Sequence, residues 1–532
     1  MRRWNGWGDD SVHYPLGGIA RQYLQEQLGE SNSITDVSLE SVLARLPASR
    51  LPAHPMISQD PLERLLHARG QSLPDWIALR SGRIGAVPDG VAYPASDEEV
   101  RQLLTHAGQV GAWVIPYGGG TSVVGHINPL AASAPVLTVD LSRLNSLLHF
   151  DPLSQLAEFG AGVKGPDLEA QLNAQRATLG HFPQSFELST LGGWIATRSS
   201  GQQSLYYGRI ENLFAGGHLE TPLGSLDIPP LPASAAGPDL RHLVLGSEGR
   251  FGILTRAIVR IRPLPEAEAF YGVFFPHWEA GHEAVRSLVQ AGVGLSMLRL
   301  SDAVETQSTL ALSGKERLLP WIERGLKLFG YNAERSLLIF GASGSRTNVR
   351  LLTRQAVAIC RQWGGLFTGS TIGKTWRKSR FLTPYLRNTL WELGYATDTL
   401  ETAVPWSKVK VTAQAILDAL RTGLQAQDER VLAFAHLSHV YRDGASIYAT
   451  YLFRRSGDPD QDLERWQRLK AAASQAILAH GGTISHQHGV GLDHLPYLQN
   501  EKGALGIDVL RAVCRTFDPQ GILNPGKLFR EE

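Results

Sequence analysis

Two histidines near the carboxyl end of the chain have the residue type and the spacing for acid–base chemistry. His486 and His488 are two positions apart, so on an extended segment both side chains would point towards one face. Histidine is the side chain that most readily exchanges protons near neutral pH. The pair therefore predicts a site at which protons are taken up and released.

Three glycine-rich turns have the composition of an anion-binding site. Consecutive glycines permit positive φ angles and bring several backbone N–H groups close to one anion, so such turns can hold a pyrophosphate with little side-chain charge. An ordinary tight turn is the alternative for any one of them, but three in one part of the chain favour a bound cofactor. The turns are Pro116-Tyr117-Gly118-Gly119-Gly120-Thr121-Ser122, Leu191-Gly192-Gly193-Trp194 and Gly246-Ser247-Glu248-Gly249-Arg250-Phe251-Gly252.

A further glycine cluster has the spacing of a dinucleotide-binding motif. Gly160, Gly162 and Gly165 fit the pattern G-x-G-x-x-G between a predicted strand and a predicted helix over 166–173. A nicotinamide-binding fold also needs a second strand that ends in an acidic residue about 20 residues later. The segment 180–187 has no such strand, so we do not assign a nicotinamide cofactor to this motif.

A second pair of histidines raises the alternative of a metal site. His436 and His439 are followed by Tyr441. Two histidines without a clear set of carboxylate or thiolate ligands are weak evidence for a metal. The sequence therefore predicts no metal ion.

These residues must be positioned by an α/β pattern that falls into two blocks. Short apolar runs alternate with helical stretches in each block, and the proline-rich segment 262–265 between them is typical of a domain boundary. We predict an N-terminal extension without catalytic residues over 1–85, a first domain over 86–265, a second over 266–500, and a C-terminal segment over 501–532 that returns to the first domain.

The hydrophobic periodicity also places individual elements within these blocks. The predicted strands are 91–93, 112–116, 136–139, 155–159, 253–261, 270–274 and 336–340. The predicted helices are 61–66, 97–109, 281–290, 350–363, 463–480 and 507–517.

Composition is typical of a globular protein and excludes several functions. The chain has 532 residues, of which 43% are hydrophobic and 19% charged. A net charge of +1 gives no cationic field of the kind used to bind nucleic acid, so no nucleic-acid partner is expected. Two cysteines cannot form a disulfide framework, and no secretory leader or long apolar run is apparent, so we expect a cytoplasmic location.

The first and third glycine-rich turns carry a family resemblance. Together with Val123-Val124-Gly125 they resemble the FAD domain of the vanillyl-alcohol oxidase / p-cresol methylhydroxylase flavoprotein superfamily. The resemblance implies a two-lobed α/β fold in which glycine-rich loops bind the FAD pyrophosphate and a C-terminal domain caps the isoalloxazine ring. It assigns FAD contacts to Pro116, Tyr117, Gly118, Gly119, Gly120, Thr121, Ser122, Gln184, Ser185, Ser189, Thr190, Gly193, Thr197, Arg198, Ser199, Ser200, Glu248, Gly249, Gly252, Ile253 and Leu254.

A closer resemblance runs along most of the chain. It is carried in order by the segments 3–8, 189–198, 237–240, 401–406, 444–448 and 485–491. These segments resemble the alkyldihydroxyacetonephosphate synthase family of ether-lipid enzymes. The resemblance implies that the acyl group of acyl-dihydroxyacetone phosphate is replaced by a fatty alcohol, with FAD acting without net redox change.

The same resemblance gives roles to individual residues. Tyr448 matches the family's catalytic tyrosine, as a proton relay or hydrogen-bond donor, and His486 and His488 would act as acid and base. Arg387 matches a substrate-binding arginine, and Arg299 another important residue; a guanidinium fork suits a phosphate. The lipid substrates further imply shallow membrane contact, and a homodimer is the expected assembly if the chain associates.

Two departures from related families leave alternatives open. The synthase family has three successive histidines where this chain has His486-Gln487-His488, and glutamine cannot act as a base. The main alternative is an FAD-dependent 2-hydroxyacid dehydrogenase or oxidase of the D-lactate or glycolate type. Those enzymes carry a metal-binding histidine motif followed by Gly-Asp-Gly-Asn, which segment 436–444 lacks. A lipid-binding flavoprotein without catalysis is the third possibility.

Overall fold

The computed structural model of the chain describes residues 2–311 and 319–530. The strands of the first lobe are β1 (Ile57–Ser58), β2 (Gly90–Ala92), β3 (Trp113–Tyr117), β4 (Val136–Asp140), β5 (Leu147–Asp151), β6 (Leu156–Gly160), β7 (Ala177–Thr178), β8 (Phe214–Thr221), β9 (Gly224–Ile228), β10 (Ile253–Arg260) and β11 (Arg262–Pro263). They form a four-stranded sheet in the order β1-β2-β4-β3, an antiparallel five-stranded sheet in the order β5-β6-β10-β8-β9, and an antiparallel pair of β7 and β11. Strands β2, β3 and β4 are parallel.

The second lobe contains one antiparallel sheet of seven strands. Its strands are β12 (Ala267–Phe275), β13 (Met297–Ser301), β14 (Ser336–Gly344), β15 (Leu366–Phe367), β16 (Tyr395–Pro405), β17 (Leu432–Val440) and β18 (Gly444–Arg454). Their order is β15-β12-β14-β13-β17-β18-β16. The mixed architecture confirms the predicted two-lobed α/β class.

Helices cover the sheets of both lobes. They are α1 (Gly18–Leu28), α2 (Leu39–Leu43), α3 (Pro61–Leu66), α4 (Leu73–Ser81), α5 (Asp97–Val110), α6 (Gly165–Ala174), α7 (Leu191–Thr197), α8 (Ser204–Tyr207), α9 (Ile210–Leu213), α10 (Arg241–Val244), α11 (Trp278–Gln290), α12 (Ala303–Ala311), α13 (Leu319–Leu328), α14 (Arg346–Gln362), α15 (Thr371–Ser379), α16 (Thr383–Glu392), α17 (Trp406–Thr422), α18 (Pro459–Ala479) and α19 (Leu498–Phe517). Helix α5 shows why local sequence forms them: Ser96 caps its first turn and Gly111, at φ 66°, ends it.

The two faces of the second sheet have different tasks because successive side chains of a strand point to opposite sides. In β18, Ile447, Ala449 and Tyr451 belong to the large core that includes helices α11, α14, α17 and α18. Tyr448 and Thr450 lie on the other face and line a cavity. One face therefore holds the lobe together, and the other is available for a ligand.

The register of this sheet brings three polar residues into one row. Glu401 of β16 is paired with Tyr448 of β18, and Tyr448 is paired with His436 of β17. Residues opposite one another on adjacent strands lie close enough for their side chains to interact. The row positions the Tyr448 phenol and the His436 imidazole in the cavity wall, with the buried Glu401 carboxylate beside Tyr448, without any flexible loop.

The chain termini pack onto these lobes. Trp7 is buried within the core of the second lobe, together with Trp76 of α4. At the other end, Leu523 pairs with Val114 of β3, and Asn524 donates a backbone hydrogen bond to the carbonyl of Val114. The C-terminal segment thus contacts the first lobe; the predicted division into domains stays a prediction.

Most predicted elements occur with shifts of a few residues. The helix predicted over 61–66 matches α3, whereas the strand predicted over 336–340 extends to Gly344. The glycines of the G-x-G-x-x-G pattern serve close packing: a Cβ on Gly162 would lie 1.7 Å from the carbonyl oxygen of Leu141, and one on Gly160 2.4 Å from that of Leu144. Backbone crowding therefore explains this motif.

None of the helices in the described part of the chain is both long enough and apolar enough to cross a bilayer.

Candidate active site

One cavity of about 770 Å³ joins the glycine-rich turns of the first lobe to the polar face of the second sheet. Its wall includes Gly118 and Glu248 at one end and Tyr448 and His488 at the other. Both parts of the predicted site therefore open into the same space.

The glycine-rich end of this cavity is shaped by close backbone contacts. We call the turns 116–122, 189–193 and 247–252 the glycine cradle. A Cβ on Gly119 would lie 1.9 Å from the carbonyl oxygen of Leu188, and one on Gly118 would lie 2.2 Å from Thr190 Oγ1. Gly120 has φ +68°, a conformation that favours glycine. A Cβ at Gly119 therefore requires the backbone at Leu188 to move, and one at Gly118 requires the Thr190 side chain to move.

Most residues predicted to contact the cofactor lie in the cavity wall. They are Pro116, Tyr117, Gly118, Gly119, Gly120, Thr121, Ser122, Gln184, Ser185, Ser189, Thr190, Gly193, Thr197, Ser199, Ser200, Glu248, Gly249, Gly252 and Leu254. Two lie elsewhere: Arg198 pairs with Glu211, and the Ile253 side chain is packed in the core of the four-stranded sheet. For these two, the cavity gives no support to a side-chain contact with the cofactor.

Two buried glutamates, Glu248 of the first lobe and Glu401 of the second, hold one loop between the lobes. We call residues 485–491 the histidine loop. Glu401 Oε1 accepts hydrogen bonds from the backbone N–H groups of His486, Gln487 and His488 at 3.0–3.2 Å. Glu248 accepts those of Val490 and Gly491. The loop is thus fixed by one carboxylate from each lobe.

Glu401 is also the partner of the predicted acid–base residue His488. The Glu401 side chain is 1% exposed, and its Oε2 contacts His488 Nδ1. Burial opposes ionisation, but His488 and the loop N–H groups keep the pKa of the Glu401 carboxyl well below its usual range. His488 Nε2 has no hydrogen-bond partner among the described residues and remains available to a ligand in the cavity.

Tyr448 lies between two imidazoles. Its ring stacks on His436 at 5.0 Å between centroids and meets His488 edge-on at 5.7 Å. The Tyr448 hydroxyl donates a hydrogen bond to Thr399 Oγ1 at 3.1 Å. Burial raises the pKa of Tyr448, so the group is a protonated phenol that can donate a hydrogen bond.

The structure corrects the expectation that His486 and His488 point to one face. The histidine loop is bent around Glu401 instead of being extended. His486 Nε2 lies 2.6 Å from the Tyr441 hydroxyl, and its ring stacks on His439. His439 lines the cavity, whereas His486 is not part of the wall. Burial and the nearby Arg209 lower the pKa of His486 to about 3. A direct catalytic role for His486 stays a prediction, whereas His488 lines the cavity.

Arg387 lines the cavity and has an unpaired, buried guanidinium edge. One terminal nitrogen, Nη1, donates to the carbonyl oxygen of Gln71. Nε and Nη2 are buried and have no partner in the described ranges. These two nitrogens form the edge that binds a carboxylate or phosphate through two parallel hydrogen bonds. An unpaired buried donor is costly, so this edge is suited to an oxyanion ligand.

Arg299 is instead tied to other protein groups. It donates to Glu305 at 2.8 Å and lies 3.2 Å from His436 Nδ1. Burial opposes ionisation of Glu305, yet Arg299 and His436 keep the pKa of its carboxyl well below the usual range. Arg299 lines the cavity, but its charge is largely used within this triad.

An apolar arm extends the cavity away from the polar residues. Its wall contains Tyr23 and Leu24 of α1, Leu390 of α16, and Leu432 and Leu452 of the second sheet. Leu24, Leu390, Leu432 and Leu452 belong to one hydrophobic cluster. Such a wall is suited to a long hydrocarbon chain.

Several residues in the site were not identified from the sequence. Glu401 occurs in a segment that carried the family resemblance, but no role was assigned to it. His436 was considered only as a metal ligand, and Thr399 and Glu305 not at all. Two carboxylates, Asp398 and Glu401, within the mostly buried strand β16 are the signal that could have revealed Glu401, because a buried charge needs partners.

The residues present fit FAD better than a metal ion. The glycine cradle offers closely approaching backbone and the hydroxyls of Thr121 and Ser122 to a diphosphate, and the cavity holds a large ligand. Within the described residues, no group of three or more His, Cys, Asp or Glu side chains could hold a metal.

Comparison with known proteins gives the same cofactor. The profile of the family described as "FAD binding domain" matches residues 88–226, and that of "FAD linked oxidases, C-terminal domain" matches residues 264–528. FAD is therefore the cofactor of this chain.

Full-length relatives define the family more closely. Alkyldihydroxyacetonephosphate synthase of Dictyostelium discoideum is 31% identical over 99% of this chain and 93% of its own. A solved alkyldihydroxyacetonephosphate synthase structure is 28% identical, with a TM-score of 0.86, over 99% of this chain and 98% of its own. The p-cresol methylhydroxylase structure shares the fold at 14% identity and a TM-score of 0.67, covering 89% of this chain and 93% of its own. This chain therefore belongs to the alkyldihydroxyacetonephosphate synthase family, within the FAD-linked oxidase flavoproteins.

Proposed function

We propose that the protein is an alkyldihydroxyacetonephosphate synthase. It would replace the acyl group of acyl-dihydroxyacetone phosphate by a fatty alcohol, so that a fatty acid leaves and an ether bond forms. The observation that carries this proposal is the coexistence, in one cavity, of the glycine cradle, the His488–Glu401 pair, the free edge of Arg387 and the apolar arm.

His488 is the group best placed to move protons in this reaction. Glu401 occupies Nδ1, so proton exchange with the substrate would occur at Nε2. An ionised carboxylate behind the imidazole orients the ring and stabilises its protonated form. His488 would therefore remove the proton from the carbon that exchanges its substituent and later supply a proton to the displaced group.

Tyr448 would act as a hydrogen-bond donor rather than as the resting-state base. Its hydroxyl is protonated and lies on the cavity face between His436 and His488. If the hydroxyl turns from Thr399 Oγ1, to which its single proton is donated in this structure, it can stabilise negative charge on the departing carboxylate. FAD, held by the glycine cradle, supplies an electrophilic ring to the reacting carbon during the exchange.

Arg387 and the apolar arm would bind the two ends of the lipid substrate. The Nε and Nη2 edge of Arg387 matches an oxyanion, and the leucines of the arm match an alkyl chain. Arg299 would contribute through His436 and Glu305 rather than through an unpaired edge.

Ether synthesis from defined substrates tests the proposal. The purified FAD-loaded protein is incubated with palmitoyl-dihydroxyacetone phosphate and hexadecanol, and hexadecyl ether and palmitate are measured together. Equal amounts of both are expected; no ether from the FAD-loaded protein would contradict the proposal. Anaerobic bleaching of the flavin by D-lactate or glycolate, with no ether formed, would instead indicate a 2-hydroxyacid dehydrogenase.

We further propose shallow membrane contact through the end of α13, because the substrates are lipids. Leu328 and Phe329 are 81% and 72% exposed. Leu326 packs with Met297 and Ile339, which line the cavity. The exposed pair therefore lies close to the cavity wall. The wild-type protein should float with liposomes, and a Leu328→Ser, Phe329→Ser variant should float less; a wild-type protein that stays wholly unbound would rule the contact out. Cytoplasmic location and a homodimer stay predictions.

A further inference from the structure

Arg387 contacts a segment that precedes both regions matched by the family profiles. The FAD-binding match begins at residue 88, whereas Arg387 contacts residues 71 and 76. The N-terminal extension was expected to contain no catalytic residues. Its contacts with Arg387 give it a part in the site, although none of its residues is expected to touch the reacting atoms.

Trp76 provides a flat surface for the guanidinium. The Arg387 Cζ atom lies 4.3 Å from the centroid of the Trp76 ring, and the Trp76 side chain is 0% exposed. A guanidinium stacked on an aromatic ring keeps its N–H donors in its own plane, free to bind sideways. Stacking therefore leaves the Nε and Nη2 edge without a partner in the described residues, while the long arginine side chain loses its freedom to adopt other rotamers.

Gln71 fixes both Arg387 and Trp76. Its backbone carbonyl accepts from Arg387 Nη1, and its side-chain Oε1 accepts from Trp76 Nε1 at 2.8 Å. Its backbone N–H donates to the carbonyl of Ser122, in the glycine cradle, at 2.6 Å. Gln71 therefore fixes the guanidinium of Arg387 relative to the glycine cradle.

Trp76 is held by further contacts. Arg80 lies over the Trp76 ring at 4.8 Å and pairs with Asp36 at 2.7 Å. Trp391 meets the ring edge-on at 5.9 Å. The tryptophan has little room to rotate, so its fixed ring can position the guanidinium of Arg387 that stacks on it.

We propose that Trp76 and Gln71 are positioning residues that hold the Nε and Nη2 edge of Arg387 towards an oxyanion of the substrate. This inference rests on the proposed function for the identity of the anion, which is either the phosphate of the head group or the carboxylate of the displaced acyl chain. Both are recognised by the same two parallel hydrogen bonds. The contact itself depends only on the geometry around Arg387.

Anion binding tests this role separately from turnover. Dissociation constants of dihydroxyacetone phosphate and of palmitate are measured by calorimetry on the FAD-loaded wild type and on Arg387→Lys, Trp76→Leu, Gln71→Leu and Trp363→Leu. Trp363, 36% exposed, is the matched control for loss of an indole. Flavin content and melting temperature establish that each variant is folded and loaded.

Arg387→Lys should weaken the binding of one of the two anions. The anion affected shows whether Arg387 binds the head-group phosphate or the carboxylate of the acyl chain. Trp76→Leu should weaken that same anion by about 5- to 30-fold, because a desolvated cation–π contact is worth roughly 1–2 kcal/mol, with a smaller loss for Gln71→Leu and none for Trp363→Leu. In turnover, the KM of the acyl substrate should rise more than kcat falls. Unchanged anion binding in both Trp76→Leu and Gln71→Leu, alongside a loss in Arg387→Lys, would overturn the proposal. If the wild type makes no ether but Trp76→Leu loses anion binding, the positioning role stands and only the proposed function fails.

Discussion

The two ends of the cavity bind by different physical means. The glycine cradle offers backbone and hydroxyl groups, and its one buried carboxylate, Glu248, is occupied by the N–H groups of Val490 and Gly491. The opposite end contains ionised or polar side chains that are paired with one another, such as Glu401 with His488. Shape therefore dominates one end and charge dominates the other.

This difference separates cofactor retention from proton transfer. A site made of close backbone contacts is sensitive to an added methyl group but not to pH. A site made of buried ion pairs is most sensitive to the loss of one charge, because the other is then left unpaired. Variants at the two ends should therefore fail in different measurements.

The largest effect is expected when the Tyr448 hydroxyl is removed. Tyr448→Phe keeps the ring between His436 and His488 but loses the donor, so kcat should fall on the order of 100- to 1,000-fold, the range for loss of one donor that stabilises developing negative charge. Flavin absorbance per protein should stay unchanged. Tyr497→Phe, outside the cavity wall, is the control. Near-normal ether synthesis in Tyr448→Phe would remove this residue from the mechanism.

Neutralising Glu401 should have the next largest effect. Glu401→Gln retains acceptors for the loop N–H groups but loses the charge next to His488, so kcat should fall roughly 10- to 100-fold. Because the pKa of Glu401 is held well below its usual range, the wild-type carboxylate is ionised throughout the assay range, and the acid limb of the pH–rate profile should move to lower pH in the variant.

A matched change elsewhere shows whether the charge itself matters. Glu429 is a partly buried, ion-paired glutamate that does not line the cavity. Glu429→Gln should leave the pH profile in place. A Glu401→Gln profile that falls in amplitude without moving would argue that Glu401 only shapes the loop. Stability towards acid gives a second measurement. A carboxyl whose pKa is depressed by folding stabilises the folded protein at pH values above its pKa in the unfolded chain, and this contribution is lost as the pH falls towards its pKa in the folded protein.

A methyl group in the glycine cradle should weaken FAD binding without affecting the proton-transfer residues at the other end of the cavity. In Gly119→Ala the new Cβ would lie 1.9 Å from the Leu188 carbonyl oxygen, so we expect the dissociation constant of FAD to rise about fivefold or more. Flavin absorbance after gel filtration measures this loss, and activity should return when excess FAD is added. Gly18→Ala, where a Cβ meets nothing within 4 Å, is the control. Retention of FAD at the wild-type level would show that the turn can shift without cost to the site.

The same contrast explains what could be predicted from the sequence. The cradle is local: Gly118, Gly119 and Gly120 are adjacent, so their pattern was visible. The charged end is not local, because Glu401 and His436 meet Tyr448 only through the register of β16, β17 and β18. Sequence spacing also suggested that His486 and His488 face the same way, and it could not show that Glu401 bends the loop between them.

The smallest expected effect concerns Gln487, the residue that distinguishes this chain from the triple histidine of the synthase family. Gln487 lines the cavity, and its Oε1 is buried without a hydrogen-bond partner in the parts of the chain described. It can therefore offer a neutral hydrogen bond to a ligand at any pH. Gln487→His should change kcat at neutral pH by only about two- to threefold, the size of one neutral hydrogen bond.

The informative difference should appear at acid pH. An imidazole that becomes protonated near its usual pKa of about 6.5 would add a positive charge to the cavity wall, and an anionic substrate should then bind more tightly. We expect the KM of the acyl substrate to fall between pH 7.5 and pH 6 in Gln487→His but not in wild type or in Gln487→Asn. If KM depends on pH in the same way in all three proteins, the charged group of the substrate lies away from Gln487, and Arg387 is its principal partner.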